Sequence, residues 1–123
     1  MKPMIDLKQQ YHDIKEEVMN VLNDILESSQ YVLGKNVAAL EKAVMDYHGV
    51  KDAIGVASGT DALHLALRAL GVGEGDEVIT SPFTFIASAN TILIVGARPV
   101  FVDIDPRTYN IDVGKIEKAV TTR

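Results

Sequence analysis

Leu7, Tyr11, Ile14, Val18, Val21 and Ile25 recur at alternating spacings of four and three, with Lys15, Glu16, Glu17 and Asp24 between them. That period gathers the apolar residues on one stripe of an α-helix about five turns long, a helix that needs a partner surface. Ser28, Ser29, Gln30 and the turn-forming Gly34 interrupt it. Val37, Leu40, Val44 and Tyr47 form a second helical stripe, which Gly49 is placed to end as a C-cap. From there the pattern changes. Residues 53–57 read as a short buried strand, 60–70 as a helix, 77–81 as a strand, 84–95 as a helix, 99–104 as a strand and 112–120 as a helix. Such alternation predicts right-handed crossovers and a mostly parallel sheet, so the expected fold class is α/β. No internal repeat or low-complexity tract interrupts the chain, and the nearest thing to a boundary falls at residues 28–35.

Composition narrows the partners. The 123 residues are 47% hydrophobic and 24% charged, the balance of one globular domain rather than of a disordered chain. A net charge of -5, with the basic residues scattered, offers no footprint for a nucleic-acid backbone. The lack of cysteine removes disulfides, thiolate metal sites and a thiol nucleophile. The opening MKPMIDLKQQ has no apolar core of the kind a secretory signal carries, and no apolar run approaches the roughly 20 residues of a membrane span. The expected setting is cytoplasmic, with no membrane.

Parallel strands finish on one edge of a sheet, where open α/β sheets bind ligands. Three loops should share that edge: Ser58-Gly59-Thr60-Asp61, Ser81-Pro82-Phe83-Thr84-Phe85 and Asp103-Ile104-Asp105-Pro106. The first is a helix start, whose unpaired N–H groups suit a phosphate, and it adds the hydroxyls of Ser58 and Thr60. Phe85 would set an aromatic face beside the anion, suited to stacking on a flat heterocycle. Each has a plainer reading: serine at a helix start is more often only a cap, and Phe85 taken alone is more often core. Neither a G-x-x-x-x-G-K-[ST] loop nor a G-x-G-x-x-G turn is present. Asp61, His64 and Arg68 lie on one stripe, which reads as a polar helix face rather than a catalytic group. The Asp61 carboxylate suits the helix dipole but would repel a phosphate, which leaves its backbone N–H as the candidate contact. Asp103 and Asp105 lack a third oxygen ligand at suitable spacing, so turn chemistry is expected there and no metal site. His12 and His48 have no partner motif.

The segments ASGTDAL, GDEVITSPFTFIASAN and PVFVDIDPRTYNID, in that order, resemble the N-terminal part of the sugar aminotransferases of the DegT/DnrJ/EryC1/StrS family, as do IDLKQQY and QYVLGKNVAALEKA. The resemblance implies part of the large domain of a fold type I, aspartate aminotransferase-like enzyme. Such an enzyme uses pyridoxal 5'-phosphate (PLP) to move an amino group, usually from glutamate, onto a keto sugar carried by a nucleotide diphosphate, at a site built across a homodimer. By position, Gly59 and Thr60 match the turn that holds the cofactor phosphate, Asp61 adds a backbone amide, and Phe85 matches the ring that covers the pyridine. Residues 1–34 would be an N-terminal helix and arm, and 35–123 part of the PLP-binding domain.

The family's Schiff-base lysine and pyridine-pairing aspartate are expected beyond Arg123. None of the lysines present sits in the matching context, so these residues alone should not transaminate. In the family the first strand of the sheet pairs with strands from later in the chain, while the counterparts of 77–81 and 99–104 lie at the other side. PVFVDIDPRTYNID most resembles members acting on 2-acetamido-3-keto uronic acid nucleotides. Two alternatives stand beside this reading: a non-catalytic module that binds a phosphate ligand or a partner, and a PLP-dependent sugar dehydratase, distinguished by histidine in place of the lysine.

Overall fold

The computed structural model of the chain describes residues 4–122. It divides into two compact units, Met1–Gly55 and Val56–Arg123.

In the first unit the Asp6 carboxylate accepts the Gln9 N–H at 3.0 Å and so starts α1 (Leu7–Ser28), while Ser29, in the left-handed conformation at φ 53, ends it. The second helix, α2 (Lys35–His48), begins at Gly34 and stops at Gly49, whose N–H turns back to the Met45 carbonyl. Lys35 Nζ meets Asp24 Oδ2 at 2.9 Å across the two helices. Both side chains are exposed, and a pair of that kind adds at most about 1 kcal/mol.

Neither helix buries a residue fully. The expected apolar stripe of α1 exists as a helix face, yet of its six members only Ile25 is half-buried. On α2 the stripe is corrected. Leu40, Val44 and Tyr47 face outward, and the half-buried positions are Val37, Glu41 and Met45. The physical reason is a backbone group: the Gly55 N–H donates to Glu41 Oε1 at 2.7 Å, so the inward face of α2 carries an acceptor.

Residues 53–57 also depart from expectation. They form no strand among the described residues, and Ile54 is 81% exposed rather than buried. A strand exists through its ladder, and no neighbouring strand is available to this segment here.

The second unit matches the alternation more closely. Its elements are α3 (Gly59–Ala69), β1 (Glu77–Thr80), α4 (Ala87–Ile94), β2 (Arg98–Phe101) and α5 (Val113–Ala119). β1 and β2 pair in parallel with Glu77 opposite Arg98 and Thr80 opposite Phe101, joined through α4. The sequence ASANTILI makes α4 apolar on nearly every side. It accordingly packs on α3 and on both strands and buries Ala87, Thr91 and Ile92. Val95, Ala97 and Val102 complete the buried set, with Leu67, Val72 and Val78 partly buried around it. Thr91 is tolerated there because its hydroxyl donates to the Ala87 carbonyl at 2.9 Å. Gly96, at φ 88, makes the left-handed turn from α4 into β2.

The helix expected over 84–95 starts instead at Ala87. Ser81 Oγ accepts the Phe83 N–H at 3.1 Å and the Thr84 and Ser88 hydroxyls meet at 3.0 Å, which makes 81–86 a turn. The α/β class with a parallel sheet stands.

Candidate phosphate turn and aromatic rim

Because β1 and β2 run parallel, the loops after Thr80 and Phe101 leave from the same edge of the sheet. The second is a closed turn. Asp105 Oδ1 accepts the N–H groups of Arg107 at 2.7 Å and Thr108 at 3.3 Å, and Ile104 bridges Ile111. The role expected for Asp103 and Asp105 was turn chemistry, and that is how Asp105 is used. Beyond the loop, Asp112 caps α5 and pairs with Lys115 at 3.1 Å. The hydrogen bond from Lys115 is the main reason the Asp112 carboxyl lies below its ordinary value, and the same bond holds the Lys115 ammonium above its own.

Ser58 opens α3 from an extended backbone at φ -161 and ψ 165. Its hydroxyl accepts the Asp61 N–H at 3.1 Å and donates to Asp61 Oδ2 at 2.8 Å, so serine and aspartate brace one another. Two consequences follow for an anion. The Asp61 N–H is engaged in the cap, and the Asp61 carboxylate is tied down by a donor. What is left is the N–H of Gly59, the N–H of Thr60 and the Thr60 hydroxyl, none with a hydrogen-bond partner among the described residues. A Cβ built on Gly59 would meet nothing within 4 Å. Open space over two free N–H groups at a positive helix end fits a phosphate.

Phe85 is not core. Its ring is 75% exposed, two residues ahead of α4, and its carbonyl accepts the Ser88 N–H at 3.0 Å. Ser58, Gly59, Thr60 and Asp61 thus form one turn, while Phe85 stands on a separate loop. His64 differs from its expected place on a polar face: Nε2 is buried with no partner among the described residues.

Two features escaped the sequence. Phe83 and Tyr109 stack at 6.0 Å between centroids, which joins the loops after β1 and β2. Glu77, with its side chain only 6% exposed, binds the Arg98 guanidinium and accepts from Thr121 Oγ1 at 2.6 Å. A carboxylate at the first position of an apolar strand was the available signal for the second; nothing local signalled the first.

The model of the DegT/DnrJ/EryC1/StrS aminotransferase family matches residues 12–123. The chain belongs to this family. A pleiotropic regulatory protein of Geobacillus stearothermophilus is 51% identical over 98% of the chain and 32% of its own length. The UDP-2-acetamido-2-deoxy-3-oxo-D-glucuronate aminotransferase of Pseudomonas aeruginosa is 49% identical over 100% of the chain and 34% of its own length. Among solved structures, DesV of S. venezuelae, in complex with a ketimine intermediate, superposes with a TM-score of 0.93 at 40% identity, over 98% of this chain and 33% of DesV. The chain therefore spans about a third of the length of the relatives it matches, and its fold is that part of a fold type I transferase. Among the described residues, no helix is long and apolar enough to cross a membrane.

Proposed function

We propose that this chain supplies the phosphate turn and the aromatic platform of a PLP-dependent aminotransferase that places an amino group on a nucleotide-linked keto sugar for glycan biosynthesis. The α3 N-terminus carries the reading: two unpartnered N–H groups and a free hydroxyl beside a glycine with open space above it. In this reading Gly59 and Thr60 hold the cofactor phosphate. Ser58 and Asp61 keep the turn in shape, and the exposed ring of Phe85 covers the pyridine. When bound, PLP supplies the electron sink, and the lysine that anchors it belongs to a segment outside these residues. Residues 1–34 act as a helix and arm, and 35–123 as part of the cofactor domain.

Glutamate is the amino donor in this proposal, and the enzyme works as a homodimer in the cytoplasm. The unpartnered apolar stripe of α1 supports association. The similarity to the Pseudomonas aeruginosa aminotransferase supports a UDP-linked 3-keto sugar acid as the substrate class.

Gly59→Pro in the full-length gene product tests the turn. Proline suits the first position of a helix, and the extended Ser58 suits the residue before it, so the fold should hold. The variant lacks one phosphate-facing N–H. PLP affinity is expected to fall about tenfold to a hundredfold, the size of a lost hydrogen bond to a charged group. Unchanged affinity at an unchanged melting temperature would refute the turn and favour a module that binds something else.

A further inference from the structure

The loop that carries Phe85 is held on both sides of that residue. On the far side, the Phe85 and Ile86 carbonyls accept the N–H groups of Ser88 at 3.0 Å and Asn90 at 2.9 Å as the chain winds into α4. On the near side, Phe83 is held twice. Its N–H donates to Ser81 Oγ at 3.1 Å, and its ring lies against the Tyr109 ring, 6.0 Å between centroids and tilted by 33°. Separations of about 4.5–7 Å are those at which aromatic rings attract one another beyond their area burial. Tyr109 in turn stands on a closed turn. Its N–H donates to the Asp105 carbonyl and the Asp105 N–H to the Asn110 carbonyl, both at 2.9 Å, inside the Ile104–Ile111 bridge.

Tyr109 is also an unexpected residue for its backbone. At φ 59 it adopts the left-handed conformation that glycine takes freely and asparagine readily, and that a ring-bearing residue takes at a cost. Strain of that kind persists where the surroundings hold it in place, and it gathers at functional sites. We propose that Tyr109 is a positioning residue for the cofactor platform: its ring buttresses Phe83 and so fixes the loop from which Phe85, two residues on, covers the pyridine. The role rests on the platform reading of Phe85. A loop free to shift must be ordered as the ligand binds, and affinity falls by the cost of that ordering. The loss is bounded by what the ring pair is worth, a ceiling of about tenfold.

The test is an absorbance titration of the full-length apo-protein with PLP and with pyridoxal, which lacks the phosphate. Tyr109→Asn removes the ring and keeps a residue suited to the left-handed turn, so the apo melting temperature should not fall. Both ligands are expected to weaken about threefold, because the ring they share is the one that Phe85 covers. Tyr109→Phe should bind both as the unaltered protein does. In a Phe85→Ala background, Tyr109→Asn should add nothing, since the buttress acts through that ring. An equal further loss in that background would overturn the positioning role, and so would a loss confined to PLP, which would place the effect at the phosphate. If Phe85→Ala weakened both ligands and Tyr109→Asn neither, only the positioning role would fail. If Phe85→Ala itself left both unchanged, the platform reading would fail and the buttress with it.

Discussion

α1 and α4 are opposites. α1 has 22 residues and a six-membered apolar stripe, and it buries none of them. α4 has eight residues, and three are buried. The amount of apolar surface does not explain the difference. α4 is apolar on nearly all sides and has, within about twenty residues of itself in either direction, a helix and two strands to lie against. α1 is apolar on one side only, and the second unit's kind of local neighbourhood is missing around it. Burial here follows the neighbours the segment supplies, and an amphipathic helix without them displays its stripe. The exposed stripe of α1 therefore reflects its neighbourhood rather than a weak helix.

That contrast can be broken most directly in the core. Ile92 is 2% exposed, and Ile92→Ala should lower the unfolding free energy by about 2–5 kcal/mol. Val18→Ala on α1 should cost under about 0.5 kcal/mol in the same 123-residue chain. Equal losses in urea titrations would erase the distinction between the helices. A smaller effect sharpens the site. Because Phe85 is largely exposed, Phe85→Ala should leave the apo melting temperature in place while PLP affinity in the full-length enzyme falls about tenfold, a stacking term plus lost burial. If apo stability collapsed and the folded remainder bound PLP as before, the ring would be core after all.

The smallest effect is at the far end of the second unit. Asp112 is lowered chiefly by its hydrogen bond from Lys115, so its contribution is full above its ordinary 3.8 and is lost as pH falls through the depressed value. Lys115 is raised chiefly by the same bond, so its contribution is full below its ordinary 10.5 and is lost as pH rises through the elevated value. Between those limits the pair should be indifferent to pH. Lys115→Met should move the Asp112 carboxyl midpoint upward in a carbon NMR titration. A midpoint that stays put would show that the Gly114 N–H, which the carboxylate also accepts at 3.0 Å, sets the value instead.

What the sequence revealed was local. Helix period, the Ser58 cap, the Gly49 stop and the two short parallel strands depend on residues a few positions apart, or on a crossover of standard length, and all can be read in order along the chain. What it concealed depends on partners distant in sequence. The strand expected at 53–57 has the right residues and no neighbour. The inward face of α2 was decided by a backbone N–H fourteen residues away, not by Leu40, Val44 and Tyr47. In the site, the amides of Gly59 and Thr60 were legible as a helix start. The bond from the Ser58 hydroxyl to the Asp61 carboxylate was not, because it depends on side-chain rotamers that no spacing encodes.

The parallel pairing of β1 and β2 also carries a statement about time. Its partners are twenty-one residues apart, a short loop to close. The chain-entropy cost of closure grows with the logarithm of length, so bringing these two strands together costs little. Nearby pairings also form faster than distant ones. As the polypeptide emerges, the β1–α4–β2 unit can assemble from what has already been made.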